Sequence, residues 1–471
     1  MKHAAWMVAL ALMLGIAGRA LAEPTGRPNV LLIVIDTLRA DRITAQRNGV
    51  PVMPKLHEFA EESWWFENAN SEASWTKPSV VSILTSLYPS THRVQFGIPG
   101  NWFKKDSPPP IEGIPAEKPT AMAYFKQHGY ATAVVQSNRH LQPRYGFGYG
   151  CDAYDDTNWA DGKTITDLAL GHAREMKGPF FLYAHYIDPH APYGSPEPHR
   201  SAFGPVPDFA PEDKDWLENE EHFGPYYMDK IMNDLGKKPQ REFSPLSEQG
   251  RERLRILYDG DCRYADAEVD RLVRSVLETT PNTIVVITAD HGEEFWEHGS
   301  IGHAKTLYQE VAHVPLLVRV PGMPSLKISA RVETIDILPT LAAATGLPAE
   351  SAWQGRSLLD PKLKSRPVFC ETNGSLPETE IDKRFVIDGM RKLIRDHGNN
   401  AEVYDLKADP REQKNLVEGD GEIRAALSDL LDKHIAAMQA HPAAQIPPAI
   451  FHLDDDTKRE LEALGYIGGD K

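Results

Sequence analysis

Cysteine is scarce, with three residues in 471, at Cys151, Cys262 and Cys370, and none of them in a C-x-x-C pair. A chain this long has no need of disulfide staples, so one disulfide or none is expected. Positive charge is also in short supply: 51 Lys and Arg stand against 67 Asp and Glu, for a net charge of −16. Proteins that coat nucleic acid need clustered Lys and Arg, so nucleic acid is not an expected partner. Beyond the first residues no apolar stretch is long enough to cross a bilayer. Repeats of solenoid period and low-complexity tracts are missing too. What is present is ordinary globular composition, 41% hydrophobic and 25% charged, at a length suited to a core domain plus a smaller appendage.

The amino terminus reads as a processing segment. Lys2 precedes the apolar run Ala4 to Ala17, and Ala20-Leu21-Ala22 forms an A-x-A site. This predicts a secretory signal peptide over residues 1–22, with an uncleaved anchor as the alternative. The expected location is therefore exported, either periplasmic or secreted, with no membrane span after cleavage.

Asn29 to Ile35 is a continuous β-branched and aliphatic run, the pattern of a strand buried on both faces. Tyr130 to Val135, Phe180 to Ile187 and Thr283 to Thr288 look the same. Helical stretches precede them at Thr120 to His128, Thr166 to Met176 and Ala265 to Leu277. Alternating helix and buried strand predicts an α/β layered sheet with right-handed crossovers. Residues 195–250 are rich in Pro and acids, among them Glu212, Asp213, Asp215, Glu218, Glu220 and Glu221, with Tyr226 and Tyr227 after them. They read as a lid-like insertion or as a solvated loop. The larger core is taken as residues 28–344 and the appendage as residues 345–471. In the latter, Asp388-Gly389 lies between two β-type runs as in a hairpin, and a helix follows near Glu422 to Gln439.

The ends of these strands carry the chemistry. The first stops at Asp36, the third at Asp188 and His190, and the fourth at Asp290 and His291. Open α/β sheets bind ligands outside the carboxyl ends of their strands, so acids and imidazoles collect on one rim. Asp36, Thr76, Asp290 and His291 stand out as metal ligands. Two carboxylates with an imidazole suit Zn²⁺ or Mn²⁺ better than Ca²⁺. Thr76 precedes Pro78 and the helical run Val80 to Leu87. A hydroxyl there meets partly positive amides, and a bound metal would make it a nucleophile; a plain N-cap explains the same spacing. His185, Asp188 and His190 form a further cluster, and His298, His303 and Lys305 another. Lys305 and the imidazoles could neutralise an ester's oxygens or protonate its leaving group. Asp188, His190 and His303 could instead hold a second metal, giving one ion or two.

Assembled in order, these segments resemble the sulfatase family of the alkaline phosphatase superfamily. The resemblance rests on Pro28 to Asp41, Trp75-Thr-Lys-Pro-Ser79 with Leu84 to Pro89, His185 to His190, Ala289 to Glu293, Gly302 to Tyr308, and Tyr404-Asp-Leu406 with Asp409-Pro410. It implies an alkaline-phosphatase-like α/β fold: a mostly parallel central sheet flanked by helices, with a smaller C-terminal α+β subdomain. It also implies an exported hydrolase of small anionic esters of a glycan, lipid head group or metabolite. A metal would sit at Asp36, Asp290 and His291, the nucleophile would be Thr76, and His190, His303 and Lys305 would bind or protonate the ester.

The chain also departs from that family. Sulfate-ester members carry C-x-P-S-R, whose cysteine becomes formylglycine; here those positions are Thr76 and Val80, so no formylglycine is expected. The second of two adjacent aspartates is Thr37. A formylglycine hydrate expels sulfate by collapsing to an aldehyde, an exit a threonine ester lacks. The set Asp, Thr, Asp, His resembles one metal site of the superfamily's phosphatases and phosphodiesterases, and the zinc site of phosphoethanolamine transferases. The expectation is thus hydrolysis of phosphate or phosphonate esters. A sulfatase working without formylglycine and an inactive anion-binding scaffold are the alternatives.

Overall fold

After Asn29, every side chain of Asn29–Ile35 is apolar and buried. A strand apolar on both faces needs layers on both sides. In the computed structural model, which describes residues 26–97, 111–213, 246–374 and 381–452, this strand is β1, near the middle of an eight-stranded sheet. The other strands are β2 (Trp64–Asn70), β3 (Ala131–Gln136), β4 (Ala153–Asp156), β5 (Phe180–Tyr186), β6 (Thr283–Thr288), β7 (His313–Arg319) and β8 (Leu326–Glu333). Their spatial order is β8-β2-β7-β6-β1-β5-β3-β4. β7 runs antiparallel to both neighbours, and the remaining pairings of this sheet are parallel. The mostly parallel α/β sheet is present as the sequence implied. The expected signal peptide lies outside the described residues, as do Asp215, Glu218, Glu220, Glu221, Tyr226 and Tyr227 of the acidic segment.

Two helices begin earlier than their apolar pattern suggests. Gly162–Glu175 starts where Asp161 caps the Thr164 N–H. The helix expected over Ala265 to Leu277 is Glu248–Thr279, 32 residues long and capped by Ser247. Its first half is charged, and tertiary pairing satisfies those charges. Asp259 takes Arg42 at 2.9 Å and Arg47 at 2.6 Å, while Asp261 accepts the Ser195 N–H at 2.6 Å. Within the acidic segment, Asp213 accepts the Ser247 N–H at 2.7 Å, a structural role. Among the described residues no helix is long and apolar enough to cross a membrane, and all three cysteines are free.

The C-terminal subdomain is a four-stranded sheet of β9 (Val368–Thr372), β10 (Lys383–Asp388), β11 (Arg391–Asp396) and β12 (Ala401–Asp405). The expected hairpin is there, with Gly389 at φ +59° in the turn. The helix Gly421–Ala440 packs Leu427 and Leu431 against Val386, Leu393 and Val403 on one face of this sheet. On the other face, Phe385, Ile387 and Ile394 meet Leu307 and Ala312 of the larger sheet's domain. Each such side chain, fully buried, contributes about 1.5–3 kcal/mol, so this contact fixes the subdomain beside the larger sheet.

Candidate metal centre and active site

The parallel register brings the rim together. Val34 lies beside His185 on one side and Thr288 on the other, so Asp36 and Asp290 emerge at neighbouring strand ends with His185 next to them. Across from them the helix Thr76–Thr85 begins. Its N-cap is Trp75, not Thr76, so the capping alternative for Thr76 does not hold. The Thr76 hydroxyl instead faces the rim, with Oγ1 3.3 Å from His291 Nε2 and 3.4 Å from Asp36 Oδ2. His291 Nε2 is also 3.5 Å from Asp36 Oδ1 and 3.4 Å from Asp290 Oδ2. Those two carboxylate oxygens are buried without a hydrogen-bond partner.

This donor set fits a divalent cation. Donors about 2.0–2.1 Å from a common tetrahedral centre stand roughly 3.3–3.4 Å from one another, as zinc requires. The imidazole nitrogen among the donors is a poor partner for a hard cation such as Ca²⁺. His291 Nδ1 donates to Gly292 O at 2.9 Å, which leaves Nε2 with its lone pair toward the group. The charges are arranged to match. Burial alone would raise the Asp36 carboxyl, but the His185 hydrogen bond and nearby imidazoles outweigh it and hold the group below the usual carboxylate range. Asp290 goes the other way, raised well above that range by burial and by the negative charge of Asp36. Burial lowers His291 to about 3 and His303 to about 4, so both imidazoles are neutral at pH 7.

Other expectations are corrected. The sequence grouped His185 with Asp188 and His190, but His185 Nε2 lies 3.3 Å from Asp36 Oδ2, and Asp36, His185 and Asp290 form one metal-capable group. Strand geometry explains this, because His185 is inside β5 and Asp188 is beyond its end. Asp188 turns away, and its Oδ2 accepts the Gly162 N–H at 2.8 Å. Among the described residues, His185, Asp188, His190 and His303 do not gather into a second metal group. His190 and His303 flank the centre instead. The His303 ring lies 4.4 Å from that of His291 and 5.2 Å from that of His190. Lys305 is buried, and its Nζ donates to Ile301 O at 2.7 Å, with its charge near Glu293 and His303.

The sulfatase family model matches residues 28–347. The chain belongs to the sulfatase family. A second model, described as N-sulphoglucosamine sulphohydrolase, C-terminal, matches residues 297–441. The uncharacterized sulfatase YidJ of Escherichia coli (strain K12) is 25% identical over 464 residues, covering 86% of this chain and 88% of its own. Delta 4,5-hexuronate-2-O-sulfatase of Bacteroides thetaiotaomicron is 24% identical over 458 residues, covering 90% and 91%. A solved phosphonate monoester hydrolase from Silicibacter pomeroyi superposes with a TM-score of 0.66 at 20% identity, over 88% of this chain and 96% of that one. That last likeness speaks for the fold.

Two further residues of this sulfatase-family site are not among the candidates read from the sequence. Asn138, just past the end of β3, places its Nδ2 2.7 Å from Asp36 Oδ2 and 3.4 Å from Thr76 Oγ1. Glu293, buried behind His303, places Oε1 3.1 Å from its Nδ1. His298, which the sequence placed with His303 and Lys305, lies elsewhere. It stacks on Tyr308 and joins Glu310 and Glu412 in a second group of metal-ligand types. There Lys392 Nζ sits 2.7 Å from Glu412 Oε1 and supplies the positive charge. Gly292 separates the two groups. Its N–H donates to Val311 O at 2.7 Å, and a Cβ added to it would stand 2.1 Å from Glu310 O.

Proposed function

We propose that this sulfatase-family hydrolase is exported and metal-dependent, uses Thr76 Oγ1 as its nucleophile, and favours phosphate or phosphonate esters over sulfate esters. One observation carries the reading: Thr76 Oγ1 shares a 3.3–3.5 Å cluster with His291 Nε2 and with the Asp36 and Asp290 carboxylates. Asp36, Thr76, Asp290 and His291 would hold the ion, with zinc or manganese suited better than calcium because imidazole is among the donors. Such an ion lowers the pKa of a bound hydroxyl.

The Thr76 oxygen bonds to phosphorus, the bond from phosphorus to the alcohol oxygen breaks, the Thr76 proton leaves, and the departing alkoxide takes one up. Water then attacks phosphorus, the Oγ–P bond breaks, and phosphate departs as the hydroxyl is restored. His190, His303 and Lys305 flank the centre as the groups that bind the ester's oxygens or pass the proton. A threonine sulfate has no aldehyde exit, which is why phosphorus is favoured. The A-x-A site Ala20-Leu21-Ala22 supports export.

Thr76→Ala should abolish hydrolysis of a nitrophenyl phosphate mono- or diester while circular dichroism shows an unchanged fold. Full activity in that variant removes Thr76 as the nucleophile. A sulfate-ester substrate is the second reading, favoured by the match to the N-sulphoglucosamine sulphohydrolase C-terminal model and by the hexuronate sulfatase relative. Turnover of nitrophenyl sulfate alone would reverse the order. Metal-loaded protein that turns over no ester of either kind would be an anion-binding scaffold.

A further inference from the structure

The Asn138 side chain is locked in one orientation. Its backbone N–H donates to Gln136 Oε1 at 2.7 Å, and its Oδ1 caps the short helix Arg139–Leu141 by accepting the His140 N–H at 2.9 Å. A flipped amide would set an N–H against that N–H, so Nδ2 must face the rim. Asn138 is 3% exposed. One Nδ2 hydrogen goes to Asp36 Oδ2 at 2.7 Å, and Thr76 Oγ1 stands 3.4 Å from the same nitrogen. With His185 also on Oδ2, the Asp36 carboxylate is pinned so that Oδ1 turns toward His291.

We infer that Asn138 is a positioning residue for the Thr76 reaction: its amide fixes the Asp36 carboxylate and the Thr76 hydroxyl relative to each other. This rests on the proposed nucleophilic role of Thr76. A neutral amide suits the task. It donates without adding a charge beside the buried acids, and its protonation does not change across the working pH range. Fixed donors aimed at developing negative charge act mostly on the chemical step and little on substrate binding.

The test compares Asn138→Ala, Asn138→Ser and Asn138→Asp with the wild-type protein on the nitrophenyl ester it turns over best, with metal content measured on each protein. Asn138→Ala is expected to lose about a hundredfold or more in kcat with KM changed little. Bound metal per chain and the limbs of the pH profile should stay as in the wild type. Asn138→Ser, which keeps a shorter donor, should recover part of the loss. Asn138→Asp puts an acceptor where the donor stood, so its kcat should fall below that of Asn138→Ala. Wild-type kcat in Asn138→Ala while Thr76→Ala is dead overturns the inference and leaves the reading of Thr76 standing. Loss of metal in step with kcat in both Asn138→Ala and Asn138→Ser also overturns it, because Asn138 would then only build the ligand site. Full activity in Thr76→Ala overturns both.

Discussion

Two buried groups in this protein are built from the same materials and balanced in opposite ways. Asp36, Asp290 and the imidazoles of His185 and His291 meet at the carboxyl ends of β1 and β6, where the two acids stand 3.3–3.5 Å from imidazole nitrogens. His298, Glu310 and Glu412 meet where the C-terminal subdomain docks, and there the Lys392 ammonium is part of the group. Buried carboxylates need a compensating positive charge. In the second group the chain carries its own. In the first no lysine or arginine stands against either acid among the described residues, which suits a cation supplied from outside. Residue type alone does not separate the groups; the presence or absence of a lysine does.

Replacing a ligand tests that contrast most severely. Asp290→Asn should lose bound metal and drop activity on the order of a thousandfold, since a bound ion supplies several kcal/mol to the transition state. Glu412→Gln should keep both, as elemental analysis beside an ester assay would show. Retained metal in Asp290→Asn would break the comparison. Lys392→Met should act on stability instead. It leaves Glu412 buried without its cation and should cost about 3–5 kcal/mol in urea unfolding, with kcat per folded molecule unchanged.

A smaller effect concerns pH. Burial raises Glu310 from 4.5 to about 8, so the folded state favours its neutral form. Its contribution to stability is complete below the unfolded value and is lost as pH rises through about 8. Glu310→Gln should therefore flatten the fall in stability between pH 6 and pH 9 by about 1–3 kcal/mol. Denaturant midpoints at several pH values would show a parallel fall in both proteins if the idea is wrong. The smallest effect belongs to Asp188→Ala, which should cost about 1 kcal/mol through the lost Gly162 N–H contact and leave metal content untouched. Metal loss in that variant would return Asp188 to the site.

Much of the rim was legible because burial on both faces leaves a continuous apolar run, and Asn29–Ile35 and Thr283–Thr288 coincide with their predicted spans. β2 was not, because Trp64–Asn70 ends in polar residues that a sheet partner and tertiary contacts satisfy. Strand ends announced Asp36, Asp290 and His291, since a carboxylate after such a run is visible in one dimension. His185 was grouped with Asp188 and His190 because they are close in sequence, whereas His185 lies within β5 and Asp188 beyond its end. Asn138 was invisible for another reason: an asparagine after a strand reads as a cap, and it is one. Only the other end of its amide reaches the site.

Gly292 has a consequence for how the molecule evolves and fails. Glu310 O presses against the Gly292 α-carbon, so the wall between His291 and the docked subdomain is one backbone thick. A methyl group at residue 292 would shove the segment that carries Glu310 and loosen the seat of the C-terminal sheet. A misplaced C-terminal sheet would in turn nudge His291. A side chain at residue 292 would therefore be felt on both sides of that partition, at His291 and at the seat of the C-terminal sheet.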